Sequence, residues 1–168
     1  MNSSKNKNVV RPIGNYERAW QVVHDTYDGY CNVGFTIRYK IPINLSFYPS
    51  TSSSIPDETK NIILRILYPT LEKTILKEPS LAVSFADLDT SKPLYIRLSE
   101  LDLSRIVRFV IVNNEDDVAK MLEDEHARKF DVQDISIPLW RIIVGIKGTS
   151  IVKDGWNLTI SFLIIMLF

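Results

Sequence analysis

Residues 24–29 read His24-Asp25-Thr26-Tyr27-Asp28-Gly29, a histidine followed four positions later by an aspartate and a glycine. An imidazole at His24 could act as a general base toward a hydroxyl or an amine. The same spacing has a plainer meaning. His24 and Asp28 fall near the end of a helical pattern, where residues four apart make ordinary surface contacts. A base must face a cleft, so the pair reads as a helix-end contact.

The other reactive side chains say less. His126 has no cysteine, histidine or carboxylate at ligand spacing beyond the solvated acids of its own helix, so no metal is expected. Cys31 is the single cysteine, with no visible triad, and reads as a small buried hydrophobe. Glu115, Asp116 and Asp117 form the first turn of a helix and not a carboxylate site. Trp140 and Arg141 place a large aromatic beside a fixed cation at the start of a strand, and packing with a structural ion pair accounts for them. There is no glycine-rich phosphate loop and no basic-aromatic patch.

Composition sets the bounds. The chain has 168 residues, 45% hydrophobic and 24% charged, enough for one domain with a core. Twenty basic residues balance twenty acidic ones, which removes the electrostatic footprint of a dedicated nucleic-acid binder. The N-terminus lacks an apolar stretch that would mark a secretory signal, so an intracellular, reducing compartment is expected. The sequons at Asn44 and Asn157 then carry no weight.

Residues 1–10 are polar and expected to be disordered. Asn15 is a good N-cap for a helix whose apolar face is Tyr16, Ala19, Trp20, Val23 and Tyr27, ended by Gly29. Val33, Phe35, Ile37 and Tyr39 alternate with polar or small residues, the period of a half-buried strand. A second helix starts at Asp57 and runs through Ile62, Ile63, Ile66 and Leu67 to 77–79, kinked or restarted at Pro69. Three β-rich runs follow at 81–87, 93–98 and 105–112, separated by turn-forming residues. Asn114 caps a helix with Val118, Met121 and Leu122 on its apolar side and Arg128 and Lys129 at its end, an arrangement that suits the helix dipole. Residues 138–147 and 156–168 read as antiparallel strands, the second losing its alternation from Leu163 onward. Helices mixed with strands imply an α/β or α+β layer architecture.

Taken together, "RPIGNYERAW", "YCNVGFTIRY", "ILKEPSLAVSFAD…KPLYIRLSELDLSRIV", "EHARKFDVQDISIPLWRIIV" and "WNLTISFLI" resemble successive N-terminal blocks of the fungal alcohol acetyltransferases and their N-acetyltransferase relatives. The resemblance runs from about Arg11 to Leu163. Its most specific block holds Phe130, Pro138, Leu139, Trp140 and Arg141. It implies an α/β fold of the chloramphenicol-acetyltransferase type: two similar lobes, a mixed sheet with flanking helices, and a tunnel between the lobes for acyl-CoA and acceptor. In this family the strand matching "WNLTISFLI" leads into His-His-x-x-x-Asp-Gly, whose second histidine takes the acceptor's proton as it attacks the thioester. The motif at His24 and Asp28 falls in the first helical block instead, so the resemblance implies that it is a decoy.

Where the resemblance places the histidine pair, after Ile164, this chain has Ile165-Met166-Leu167-Phe168. If Ile164 to Phe168 are encoded ATT ATC ATG CTN TTY, restoring one C after the first codon gives ATT CAT CAT GCT NTT, which spells Ile-His-His-Ala-x. The expectation is therefore an incomplete N-terminal lobe over residues 11–163, with 164–168 an out-of-frame apolar tail. The resemblance implies acetyl transfer from acetyl-CoA, as co-substrate, to an alcohol or amine acceptor. The 168-residue chain is expected to be inactive and to bind no cofactor itself. A non-catalytic binding module derived from the same fold is the alternative. No nucleic-acid partner and no membrane span are expected, since the apolar end is far shorter than the about twenty residues a spanning helix needs. Peripheral attachment stays open, at the endoplasmic reticulum or lipid droplets by resemblance, as does self-association through an exposed strand edge.

Overall fold

The computed structural model describes residues 8–26, 32–41, 55, 57–147 and 156–165. Seven strands and four α-helices follow one another along them: β1 (Asn8–Pro12), α1 (Asn15–Thr26), β2 (Asn32–Ile41), α2 (Asp57–Lys77), β3 (Val83–Ala86), β4 (Leu94–Arg97), α3 (Leu103–Ile106), β5 (Val107–Val112), α4 (Glu115–Ala127), β6 (Trp140–Lys147) and β7 (Trp156–Ile165). A small sheet has the order β1-β4-β3 and a larger one the order β2-β7-β6-β5. β5 and β6 are parallel, with α4 as their crossover, whereas β7 runs antiparallel to both β6 and β2.

The larger sheet is covered on two faces because successive residues of a strand point to opposite sides. Ile142 and Val144 of β6 pack with Ile63, Leu67 and Leu71 of α2. Ile143, between them in sequence, packs with Val118 and Met121 of α4. Helix, sheet and helix thus form three layers, the α/β arrangement that the mixed pattern implied. A third cluster joins Ile13, Phe85 and Tyr95 beside the small sheet to Phe130, Val132 and Leu139 of the loop entering β6.

Several local expectations are corrected. Residues 8–10, expected to be disordered, lie in β1 and pair with β4 from Asn8↔Arg97 onward; residues 1–7 lie outside the described residues. α2 is a single 21-residue helix through Pro69, so it does not restart there. The proline sits on its exposed side, where water can serve the carbonyl that loses its donor. Gly14, not Asn15, caps α1: its carbonyl accepts from the Arg18 amide at 2.9 Å, and its own amide donates to Glu17 Oε2 at 2.7 Å. That reach-back from a glutamate three residues on is one half of a capping box.

The inner face of α1 also differs from the pattern. Tyr16 is 79% exposed and Ala19 and Trp20 face outward, while Gln21 and His24 are buried. Tyr27 lies outside the described residues. Polar side chains of α1 are matched to fixed partners, at the surface for Glu17 and inside for His24. Glu17 binds Arg11, whose guanidinium lies 4.6 Å over the Tyr95 ring, and His24 accepts a buried amide.

Candidate active site

The start of β6 is anchored by two side chains. Trp140 is buried and donates its indole N–H to the Leu81 carbonyl at 2.6 Å, tying β6 to the turn that enters β3. Arg141 turns the other way. Its Nη2 donates to the carbonyls of Glu125 at 2.7 Å and Arg128 at 2.6 Å, its Nη1 to that of Lys129 at 3.4 Å, and its Cζ lies 4.1 Å from the Phe130 ring centre. One planar guanidinium therefore holds the C-terminal end of α4, where carbonyls lack intrahelical donors.

Beneath it lies Glu125, only 2% exposed. Its Oε2 is 2.6 Å from Arg141 Nε, a charge contact in which the N–H is not aimed at the oxygen, and its Oε1 is bound by Arg108 of β5. A buried carboxylate survives only when paired, and both of its oxygens are. Burial pushes the Arg141 guanidinium down from its ordinary range, and the nearby Glu125 charge opposes that.

The loop between α4 and β6 is held by its own polar network. Asp134 Oδ1 accepts from the Ser136 amide at 2.9 Å and hydroxyl at 2.5 Å, while Arg105 spans Asp134 Oδ2 at 2.5 Å and Ser136 Oγ at 2.7 Å. The Ser136 hydroxyl, then Arg105, hold the Asp134 carboxyl down at about 2. Phe130, Pro138, Leu139 and Trp140 are all buried around this loop, with Arg141 half-buried at its end, so the five residues of the sequence block share one place.

His24 meets the same block. It is 3% exposed, and its Nε2 accepts from the Phe130 amide at 3.4 Å. The expected surface contact at a helix end is corrected: the imidazole faces the interior because a buried amide there needs an acceptor. Asp28 and Cys31 lie outside the described residues. His24 and Phe130 are 106 residues apart in sequence, and no pattern along the chain links them.

β7 fixes where the chain goes next. It is interior, with Ile164 opposite Val33 of β2 on one side and Trp140 of β6 on the other. Pairing continues through Ile165↔Asn32, so the strand does not end at Leu163 as its alternation suggested; residues 166–168 lie outside the described residues. A strand with ladders on both sides is held by its backbone and does not need a half-polar pattern. The end of β7 thus lies against the first residues of β6, at the point that Trp140 and Arg141 anchor.

No protein-family profile matches the chain, and no curated protein does. Solved structures do. A four-domain nonribosomal peptide synthetase, described in its holo form bound to AMP and glycine, matches with a TM-score of 0.55 and 17% identity over 96% of this chain and 11% of its own. The wax ester synthase/diacylglycerol acyltransferase from Marinobacter aquaeolei VT8 matches with a TM-score of 0.57 and 12% identity over 93% of this chain and 33% of its own. The condensation domain of the Monacolin K polyketide synthase matches with a TM-score of 0.52 and 13% identity over 90% of this chain and 29% of its own. The chain has part of a condensation-type fold. It spans a third or less of each of these structures, all of which share the fold at low identity.

Within that fold, the residues that the sequence block left out are acidic and basic partners. Glu125 read as one more solvated acid in "EDEHA". Its signal was positional: Val118, Met121 and Glu125 lie three and four apart on the inward face of α4. Among the described residues there is no cluster of three or more His, Cys, Asp or Glu able to hold a metal, and no helix long and apolar enough to cross a membrane.

Proposed function

We propose that this chain is the N-terminal lobe of a two-lobed, acetyl-CoA-dependent O- or N-acetyltransferase, and that the catalytic histidine pair of that enzyme belongs directly after Ile164. The observation that carries the reading is the position of β7. It is an interior strand of a condensation-type fold, and it delivers Ile164 opposite Trp140, where Arg141 clamps the end of α4 against β6. An imidazole placed there would start from a rigid strand end, which is what positioning a general base requires. The acceptor is an alcohol or an amine, and acetyl-CoA supplies the acyl group. His24 has no catalytic part in this reading, because its Nε2 is spent on the Phe130 amide.

Release of CoA from acetyl-CoA, followed with a thiol reagent in the presence of alcohol or amine acceptors, tests the reading. The 168-residue polypeptide should give no turnover, and a chain continued in the restored frame should give turnover that falls by about 10²–10⁴ when the second restored histidine is replaced. Turnover by the 168-residue polypeptide that His24→Ala abolishes would move the active site to His24 and overturn the proposal.

A further inference from the structure

Beside the buried carboxylate lies a second feature, independent of acyl transfer. A cavity of about 180 Å³ is bounded by Arg105, Arg108, Arg128 and Arg141, with Glu125, Ser104 and the β5 and β6 residues Val107 and Ile142 completing its wall. The two oxygens of Glu125 are contacted by Arg141 and Arg108, one each. Arg128 is surplus to that pairing. Among the described residues its guanidinium makes one contact, 3.8 Å from Glu125 Oε1, and the side chain is 55% exposed.

The charge does not balance within the cavity. Arg105 is neutralised by Asp134, and the remaining three guanidiniums face one carboxylate, which leaves two positive charges. Arg141 is committed to three carbonyls, whereas Arg108 has only its Nη2 engaged. The donors left over are therefore those of Arg108 and Arg128, from β5 and the end of α4. Both guanidiniums border this partly open cavity beside Glu125 Oε1, and planar forked donors of this kind bind phosphate oxygens in pairs.

We propose that this cavity binds a phosphate group through Arg108 and Arg128, with Arg141 fixed behind them as a permanent cation and the Glu125 carboxylate holding both flanking guanidiniums in place. The chemistry is that of a phosphate monoester or of orthophosphate itself, and the two sources differ in what lies beyond the phosphate.

Isothermal titration of the 168-residue protein with orthophosphate, with adenosine 3′,5′-bisphosphate and with adenosine, each at constant ionic strength in chloride, tests the site. Binding of both phosphate compounds and not of adenosine is expected, weakened about tenfold or more by Arg128→Gln. Orthophosphate binding as tightly as the bisphosphate assigns the site to the free anion; tighter bisphosphate binding assigns it to a phosphate ester. Arg128→Gln should leave the urea midpoint unchanged in the absence of phosphate, since the side chain is exposed, and Arg65→Gln on α2 should leave phosphate affinity unchanged. Absence of phosphate binding at millimolar concentrations, or equal affinity in wild type and Arg128→Gln, would overturn the proposal.

Discussion

Replacing Arg141 with alanine should cost more than any other single change at the start of β6. The substitution removes two short charge-assisted bonds to the Glu125 and Arg128 carbonyls, a longer one to Lys129, the contact with Glu125 Oε2 and the cation over Phe130. Breaking a buried ion pair from one side costs about 3–5 kcal/mol, because the other charge is left buried. Arg108 still binds the second Glu125 oxygen, which places the expected loss in the lower half of that range, about 3–4 kcal/mol. Against a typical stability of about 5–15 kcal/mol, this is a large share of the total. Urea unfolding followed by far-ultraviolet circular dichroism should show the midpoint falling by about 1.5–2 M at a slope of about 2 kcal/mol/M. Arg141→Lys keeps the charge but not the planar fork, and should recover less than half of the loss. Glu125→Gln should cost much less in an Arg141→Met background than in the wild type, because the two residues act as one unit. A midpoint shift under about 0.5 M for Arg141→Ala, or strict additivity in the cycle, would refute the clamp.

Other perturbations test the parts around it. His24→Ala strands the buried Phe130 amide and leaves a void, so it should destabilise by about 2–4 kcal/mol in the same urea assay; a loss under about 0.5 kcal/mol would show that the amide bond does not matter. Asn114 Oδ1 accepts from the Asp117 amide at 2.9 Å at the head of α4, and Asn114→Ala should cost about 1 kcal/mol, restored by Asn114→Asp. Tyr95 is pushed up to about 12, by burial first and by the Glu17 charge second. Its neutral form is favoured in the folded state, so this contribution to stability is full below pH about 10 and is lost as pH rises toward about 12. Absorbance titration at 295 nm should differ between wild type and Tyr95→Phe only by a step near pH 12, and a step near 10 would contradict the burial.

The layers were legible because they rest on period. β6 reads as a continuous apolar run, and Ile142, Ile143 and Val144 serve two helices on opposite faces, as a strand covered on both sides must. The cap at Asn114 and the helix it starts were equally plain. α1 misled because hydrophobic periodicity assumes that polar side chains seek water. Here Gln21 and His24 lie inside, and His24 is matched to an amide from a loop more than a hundred residues away, a pairing that no local pattern encodes. Glu125 was hidden for the same reason, since its three arginine partners come from β5, β6 and the turn after α4. The end of β7 ran past its alternation because pairing on both edges holds the backbone whatever the side chains are.

The placement of a histidine pair after Ile164 is tested most directly by the nucleotide sequence of the gene and its transcript across codons 164–168 and beyond. Codons that yield two adjacent histidines by a single-base change are expected, followed in that frame by an aspartate-glycine pair and a reading frame resembling the rest of a two-lobed acyltransferase. Codons that cannot give two histidines by one base, or no such downstream frame, would contradict it.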